Sequence, residues 1–210
     1  MFRKLFNPDN GLMIVMGQIS DCICLSLFWA VACFPVVTLG ASTVALYDAT
    51  YRTFRKGEKN SWQRFFSVFR SHVKAGVLPS VVLLAVFAAL GYVLIRCWNS
   101  AVAGMLSWAA FSAAAFVGVT VFGVLSVMCP LLSRFETNFA TLMKNTILLA
   151  LANLPRTVAL GLLNTVTLFL CVNLVFPLFI LPSLAALIGS LFLEPMFKPY
   201  MPEQPEEIEE

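Results

Sequence analysis

Asp21 and Asp48 stand well inside apolar runs of a 210-residue chain that is 60% hydrophobic and 12% charged. A carboxylate at membrane depth is costly, so each is a candidate for chemistry by default. At the helical rise, Asp21 falls about 13 Å from the start of its run, near mid-membrane. One reading makes it a proton or cation site shared with Gln18, Ser20, Thr38 and Ser42. The other makes it a structural carboxyl, protonated by burial or hydrogen-bonded to those polar neighbours. Asp48 precedes Arg52 by four residues, the favourable acid-before-base order on one helix face, and reads as its ion-pair partner.

Other chemistries lack their residues. His72 is the single histidine, which excludes a His-based triad or a multi-His metal centre. Neither G-x-S-x-G, H-E-x-x-H nor a Gly-rich phosphate loop ending in Lys-Ser/Thr occurs. Asp21 and Asp48 do not lie in intramembrane protease motifs. The six cysteines (Cys22, Cys24, Cys33, Cys97, Cys129, Cys171) contain no C-x-x-C and read as small buried hydrophobes. An enzyme is not expected, nor are a cofactor, a metal or a nucleic-acid partner.

The elements that must position these residues are membrane helices. A soluble domain is about 25% charged, roughly twice the value here, and the mean hydropathy is +0.86. Residues 12–34 are long enough to cross a hydrocarbon core, and read as a retained first span rather than a cleaved leader. Pro35 stops that helix, Gly40 lets the chain turn, and Ser42 or Thr43 can cap the next one. This link is expected to be a buried corner. Residues 41–55 then make a short segment, either tilted across a thinned bilayer or re-entrant.

Next comes a cationic stretch holding Arg52, Arg55, Lys56, Lys59, Arg64, Arg70 and Lys74. Trp62, Phe65, Phe66, Phe69 and Val73 recur there at helical spacing, which predicts an amphipathic helix in the membrane interface. Further spans are expected over residues 77–95, 102–129 (ended by Pro130), 157–176 and 178–193 (interrupted by Pro182). Ala110, Ala114 and Gly118 repeat every four positions, a small-residue face for close helix packing. The fold class is therefore an all-α polytopic bundle of about six membrane segments plus one interfacial helix. Residues 1–199 form one domain, and 200–210 read as an acidic, disordered tail. With six crossings and both termini in the cytoplasm, 13 of the 14 lysines and arginines fall inside and only Arg96 outside.

Residues 34–47, Phe-Pro-Val-Val-Thr-Leu-Gly-Ala-Ser-Thr-Val-Ala-Leu-Tyr, resemble the signature of the YesL-like family of bacterial membrane proteins. The Arg52 to Gly57 turn, the Phe65-Phe66-x-x-Phe69 face, Leu132-Ser-Arg134-Phe135 and the stretch from Asn145 to Asn153-Leu-Pro155 add to the likeness, which runs from Leu12 to Pro199. The family has no established catalytic chemistry. Its members resemble accessory components encoded near carbohydrate ABC importers and their two-component regulators. The resemblance thus implies a plasma-membrane accessory subunit that packs on importer permeases and contacts membrane lipids.

Such contact would use the small-residue face and a cytosolic surface formed by Arg64, Arg70, Lys74, Glu136, Asn153 and Pro155. Importer permeases carry a loop running from Glu-Ala-Ala through Gly to Leu-Pro about nineteen residues on. Here Glu136 and Leu154-Pro155 keep the ends, but Thr137, Asn138 and Leu142 replace the alanines and the glycine. A different class, an autonomous small transporter or channel, would use the broken corner and Asp21. A sensor pairing the acidic tail with the basic loop is a third.

Overall fold

A computed structural model describes residues 11–104, 108–135, 138–174 and 176–200. The described residues form seven α-helices and no strand: α1 Gly11–Cys33, α2 Leu39–Arg55, α3 Ser61–Val102, α4 Trp108–Arg134, α5 Phe139–Ala152, α6 Leu154–Asn173 and α7 Leu181–Phe197. Five of them, α1, α3, α4, α6 and α7, are long and apolar enough to cross a membrane. The polytopic all-α bundle expected from the sequence is the architecture found.

The organising element is α2. It has only 17 residues and is the least apolar of the seven, yet every residue from Gly40 to Thr50 except Thr43 is buried. Helices α1, α3, α4 and α7 surround it. The core is built on its Val44, Ala45, Leu46, Tyr47 and Ala49, with Leu25 from α1, Phe65 and Val68 from α3, Met128 and Leu132 from α4, and Leu193, Met196 and Phe197 from α7.

Two close backbone approaches set the packing. Gly40 on α2 meets Gly76 on α3, where an added Cβ would stand 2.6 Å from the Gly76 carbonyl oxygen. The Gly40 N–H donates to Ser80 Oγ at 2.7 Å, and that hydroxyl donates to the Gly76 carbonyl at 2.7 Å. On the other side, Gly123 of α4 lies against Thr157 and Gly161 of α6. Asn164 Nδ2 donates to Ser126 Oγ at 2.9 Å one turn further along both helices, so α4 and α6 run in the same direction. The intervening α5 is the return.

Several expected boundaries move. The aromatic-basic stretch is not a separate interfacial helix but the first half of α3, which runs unbroken for 42 residues, about 63 Å. Pro79 sits inside it. A proline removes one donor and crowds the preceding turn, and the polar Gly76–Ser80–Gly40 contact lies at the same turn. Pro130 likewise does not end α4, which continues to Arg134. Pro182 does not interrupt a span; it stands in the first turn of α7, where a missing N–H costs nothing.

Chain reversals follow local chemistry. Gly57 (φ +67°) closes α2, with the N–H groups of Lys56 and Glu58 both reaching the Arg52 carbonyl. Asn60 (φ +76°) opens α3, and Gly104 (φ +70°) follows its end.

Candidate functional site

Two charged clusters flank α2. In the first, Asp48 is only 3% exposed and its two oxygens are shared between two arginines. Arg52 Nε donates to Oδ1 at 3.2 Å, and Arg64 Nε reaches across from α3 to Oδ2 at 2.6 Å. The Arg52 guanidinium also pairs with Glu58 at 2.9 Å. The expected Asp48–Arg52 pair is present, and Arg64, read from the sequence as a partner-facing cation, turns inward to join it. Both arginines remain about a third exposed, so water screens part of the attraction.

The second cluster was not singled out from the sequence. Glu194 of α7 accepts from Arg134 Nη2 of α4 at 2.7 Å and from Tyr47 Oη of α2 at 3.0 Å. The Arg134 guanidinium also lies over the Tyr51 ring, 4.1 Å from its centre, a cation–π contact. Tyr51 stacks with Tyr47 one turn earlier on α2. Three helices distant in sequence are therefore joined at one carboxylate. The signal was available, since Glu194 lies in the apolar run Leu-Phe-Leu-Glu-Pro-Met-Phe, the context that drew attention to Asp21.

Asp21 is placed differently from the mid-membrane polar corner. Ser61 Oγ, in the first turn of α3, donates to its Oδ1 at 2.7 Å. The carboxylate thus faces a helix N-terminus, where the exposed N–H groups favour negative charge. Thr38 and Ser42 are near the far end of α1, 12 residues away at Cys33, or about 18 Å along the helix. Thr38 Oγ1 donates to the Ala32 and Pro35 carbonyls, and Ser42 Oγ to the Thr38 carbonyl. Trp29 Nε1 donates to Thr43 Oγ1 at 3.4 Å. The group does not assemble into one site.

The corner itself is not buried at its start. Phe34 is 90% exposed, and Pro35, Val36 and Val37 are exposed as well. Its backbone is satisfied locally instead, with the Phe34 N–H on the Val31 carbonyl and the Thr38 N–H on that of Pro35. Burial begins at Gly40.

A third polar contact joins α1 to α7. Ser183 Oγ donates to the Cys22 carbonyl at 3.0 Å and accepts from Ser26 Oγ at 2.8 Å, while Ser26 Oγ also receives the Ser183 N–H at 3.2 Å. Both hydroxyls are fully buried. Ser26 therefore caps the first turn of α7 from a neighbouring helix.

The remaining candidates are scattered. Gly118 is buried against Leu94 of α3, Ala114 is half-buried and Ala110 exposed. The α4 face thus meets a helix of the same chain at its inner end. Arg70 and Lys74 are exposed on α3. Asn153 joins α5 to α6: its Nδ2 reaches the Leu149 carbonyl, its Oδ1 accepts from Arg156, and its carbonyl accepts the Thr157 N–H. Pro155 occupies the first turn of α6. Glu136 lies outside the described residues. Among the described residues no group of three or more His, Cys, Asp or Glu side chains could hold a metal ion.

Residues 22–95, from α1 into α3, match the model of a family described as "Protein of unknown function, DUF624". The match contains the block at residues 34–47 and is consistent with the YesL-like resemblance. No curated protein and no solved structure matches the chain.

Proposed function

We propose that this chain, in which the second half of α1, α2 and most of α3 carry the DUF624 match, is an interaction subunit of the bacterial plasma membrane. Its partners would be the permeases of a carbohydrate ABC importer, which it stabilises, assembles or regulates. One observation carries the choice of an interaction subunit over a solute path. The charges flanking α2 close on one another, Asp48 on Arg52 and Arg64, and Glu194 on Arg134 and Tyr47. A permeation route needs polar groups turned toward an opening. What the bundle turns outward is instead apolar: Leu78, Val81, Tyr92 and Ile95 on α3, and Leu162, Val166, Phe169 and Val172 on α6. The importer as partner rests on the family resemblance alone.

The test is a mild-detergent pull-down of the tagged chain from its native membrane, with mass spectrometry of what accompanies it. Importer permeases in stoichiometric amount are expected. A homogeneous peak without them overturns the importer assignment. Asp21→Asn separates the classes: solute flux lost from reconstituted protein that otherwise expresses normally would favour a transporter. Unchanged flux with reduced expression or reduced partner recovery favours the structural role.

A further inference from the structure

We infer that the outward flank of the first half of α3, with the turn that precedes it, is a docking surface for acidic phospholipid headgroups. Trp62, Phe66, Arg70 and Lys74 follow one another at four-residue spacing, so they form one row along the helix. Trp62 is 51% and Phe66 39% exposed, although the nearby Phe65 and Val68 are buried in the core. With Gln63, Ser67 and Ser71, the first three members of the row line an open depression.

Among the described residues nothing compensates the charge on this surface. The four carboxylates among the described residues are engaged elsewhere: Asp21 by Ser61, Asp48 by Arg52 and Arg64, Glu58 by Arg52, and Glu194 by Arg134. Arg55, Lys56, Lys59, Arg70 and Lys74 are exposed and pair with no carboxylate among the described residues. An anionic occupant is what five such cations recognise.

Two features favour lipid over an acidic protein. Exposed tryptophan and phenylalanine in one row with arginine and lysine offer a lipid both an apolar surface and cations for its phosphate. The helix also continues without a break from Lys74 into its apolar stretch. Arg70 therefore stands only about 10 Å of helix from Val77, in the apolar stretch of the same helix. Each cation near an anionic membrane surface strengthens binding about fivefold.

The experiment uses the full chain in a neutral detergent, titrated with phosphatidylglycerol or phosphatidylcholine, with bound lipid counted by native mass spectrometry. The wild type is expected to retain phosphatidylglycerol more tightly, and salt to erode the preference. Arg70→Gln with Lys74→Gln lowers phosphatidylglycerol affinity about 25-fold and leaves phosphatidylcholine binding and the melting temperature unchanged. Trp62→Ala weakens retention of both lipids. Equal retention of the two lipids by the wild type, or an unchanged preference in the double variant, overturns the inference. So does a preference that emerges only after residues 201–210 are removed, which would assign the cations to the chain's own glutamates. Loss of a co-purifying protein from the double variant with lipid binding intact would assign the surface to that protein and overturn it too.

Discussion

Gly40→Ala is the sharpest test of the packing around α2. The new Cβ would stand 2.6 Å from the Gly76 carbonyl oxygen and 2.9 Å from Ser80 Oγ. Ordinary van der Waals contact begins near 3.4 Å, so α2 and α3 must separate by about 0.8 Å at this level. The obstructing oxygen belongs to backbone and cannot swing aside. Overpacking of this kind costs about 1–3 kcal/mol. Separation also stretches the 2.7 Å bond from the Gly40 N–H to Ser80 Oγ, worth about 0.5–1.5 kcal/mol. Against this, alanine is the better helix former by about 1 kcal/mol. The balance is a loss of about 1–3 kcal/mol, which for a chain of this size lowers the melting temperature by about 2–12 °C. Gly91→Ala is the matched control: nothing lies within 4 Å of its added Cβ, so only the propensity gain remains and the melting temperature should hold or rise. Thermal scans of both variants in one detergent decide the matter. If Gly40→Ala melts with Gly91→Ala, the close α2–α3 approach is wrong.

Asp48→Asn leaves Arg52 and Arg64 facing a neutral amide, and should destabilise by about 1–3 kcal/mol, the partly exposed arginines being partly rescued by water. The additional loss should shrink in an Arg64→Gln background, and strict additivity of the two changes would refute a direct pair. Glu194→Gln removes the carboxylate shared by Arg134 and Tyr47, and is expected to lower the melting temperature more than Glu58→Gln, whose side chain is 41% exposed. With Ser26 and Ser183 hydroxyls 2.8 Å apart, Ser26→Cys with Ser183→Cys in a chain otherwise free of cysteine should cross-link on mild oxidation. An unshifted gel band would contradict the α1–α7 contact. Truncation after Phe179 deletes α7, and a cysteine placed at Tyr47 should pass from protected to maleimide-reactive; equal protection in both lengths would show that α7 does not cover that position.

Much of the bundle was legible because span length and apolar runs are local properties. The Asp48–Arg52 pair was legible for the same reason, being one helical turn apart. What escaped depends on which helices meet. Arg64 reads as an exposed cation until α2 and α3 lie side by side. Glu194 acquires meaning only when Arg134, 60 residues earlier, and Tyr47, 147 residues earlier, are brought to it. The Ala110, Ala114, Gly118 repeat was visible as a pattern, yet the tightest α4 contact is one turn further on, at Gly123, because its match is the isolated Gly161. Prolines misled in a regular way. Pro130 sits inside α4, which continues to Arg134, and Pro182 stands in the first turn of α7 rather than inside a span, which a rule based on one stretch of sequence does not anticipate.

The burial of α2 has a consequence for how the protein is made. Segments enter the bilayer from the ribosome in order, and each is sorted by its own apolarity. As the second segment to emerge and the least apolar helix of the described chain, α2 is a weak candidate for lipid on those terms. Its lasting neighbours are almost all synthesised after it: α3 at once, α4 later, and α7, with Glu194, at the end. Biogenesis must therefore keep a marginal helix waiting beside its hairpin partner until the last span arrives to enclose it. A ribosome stalled before Leu181 would release a chain that membrane quality control can tell from the finished one.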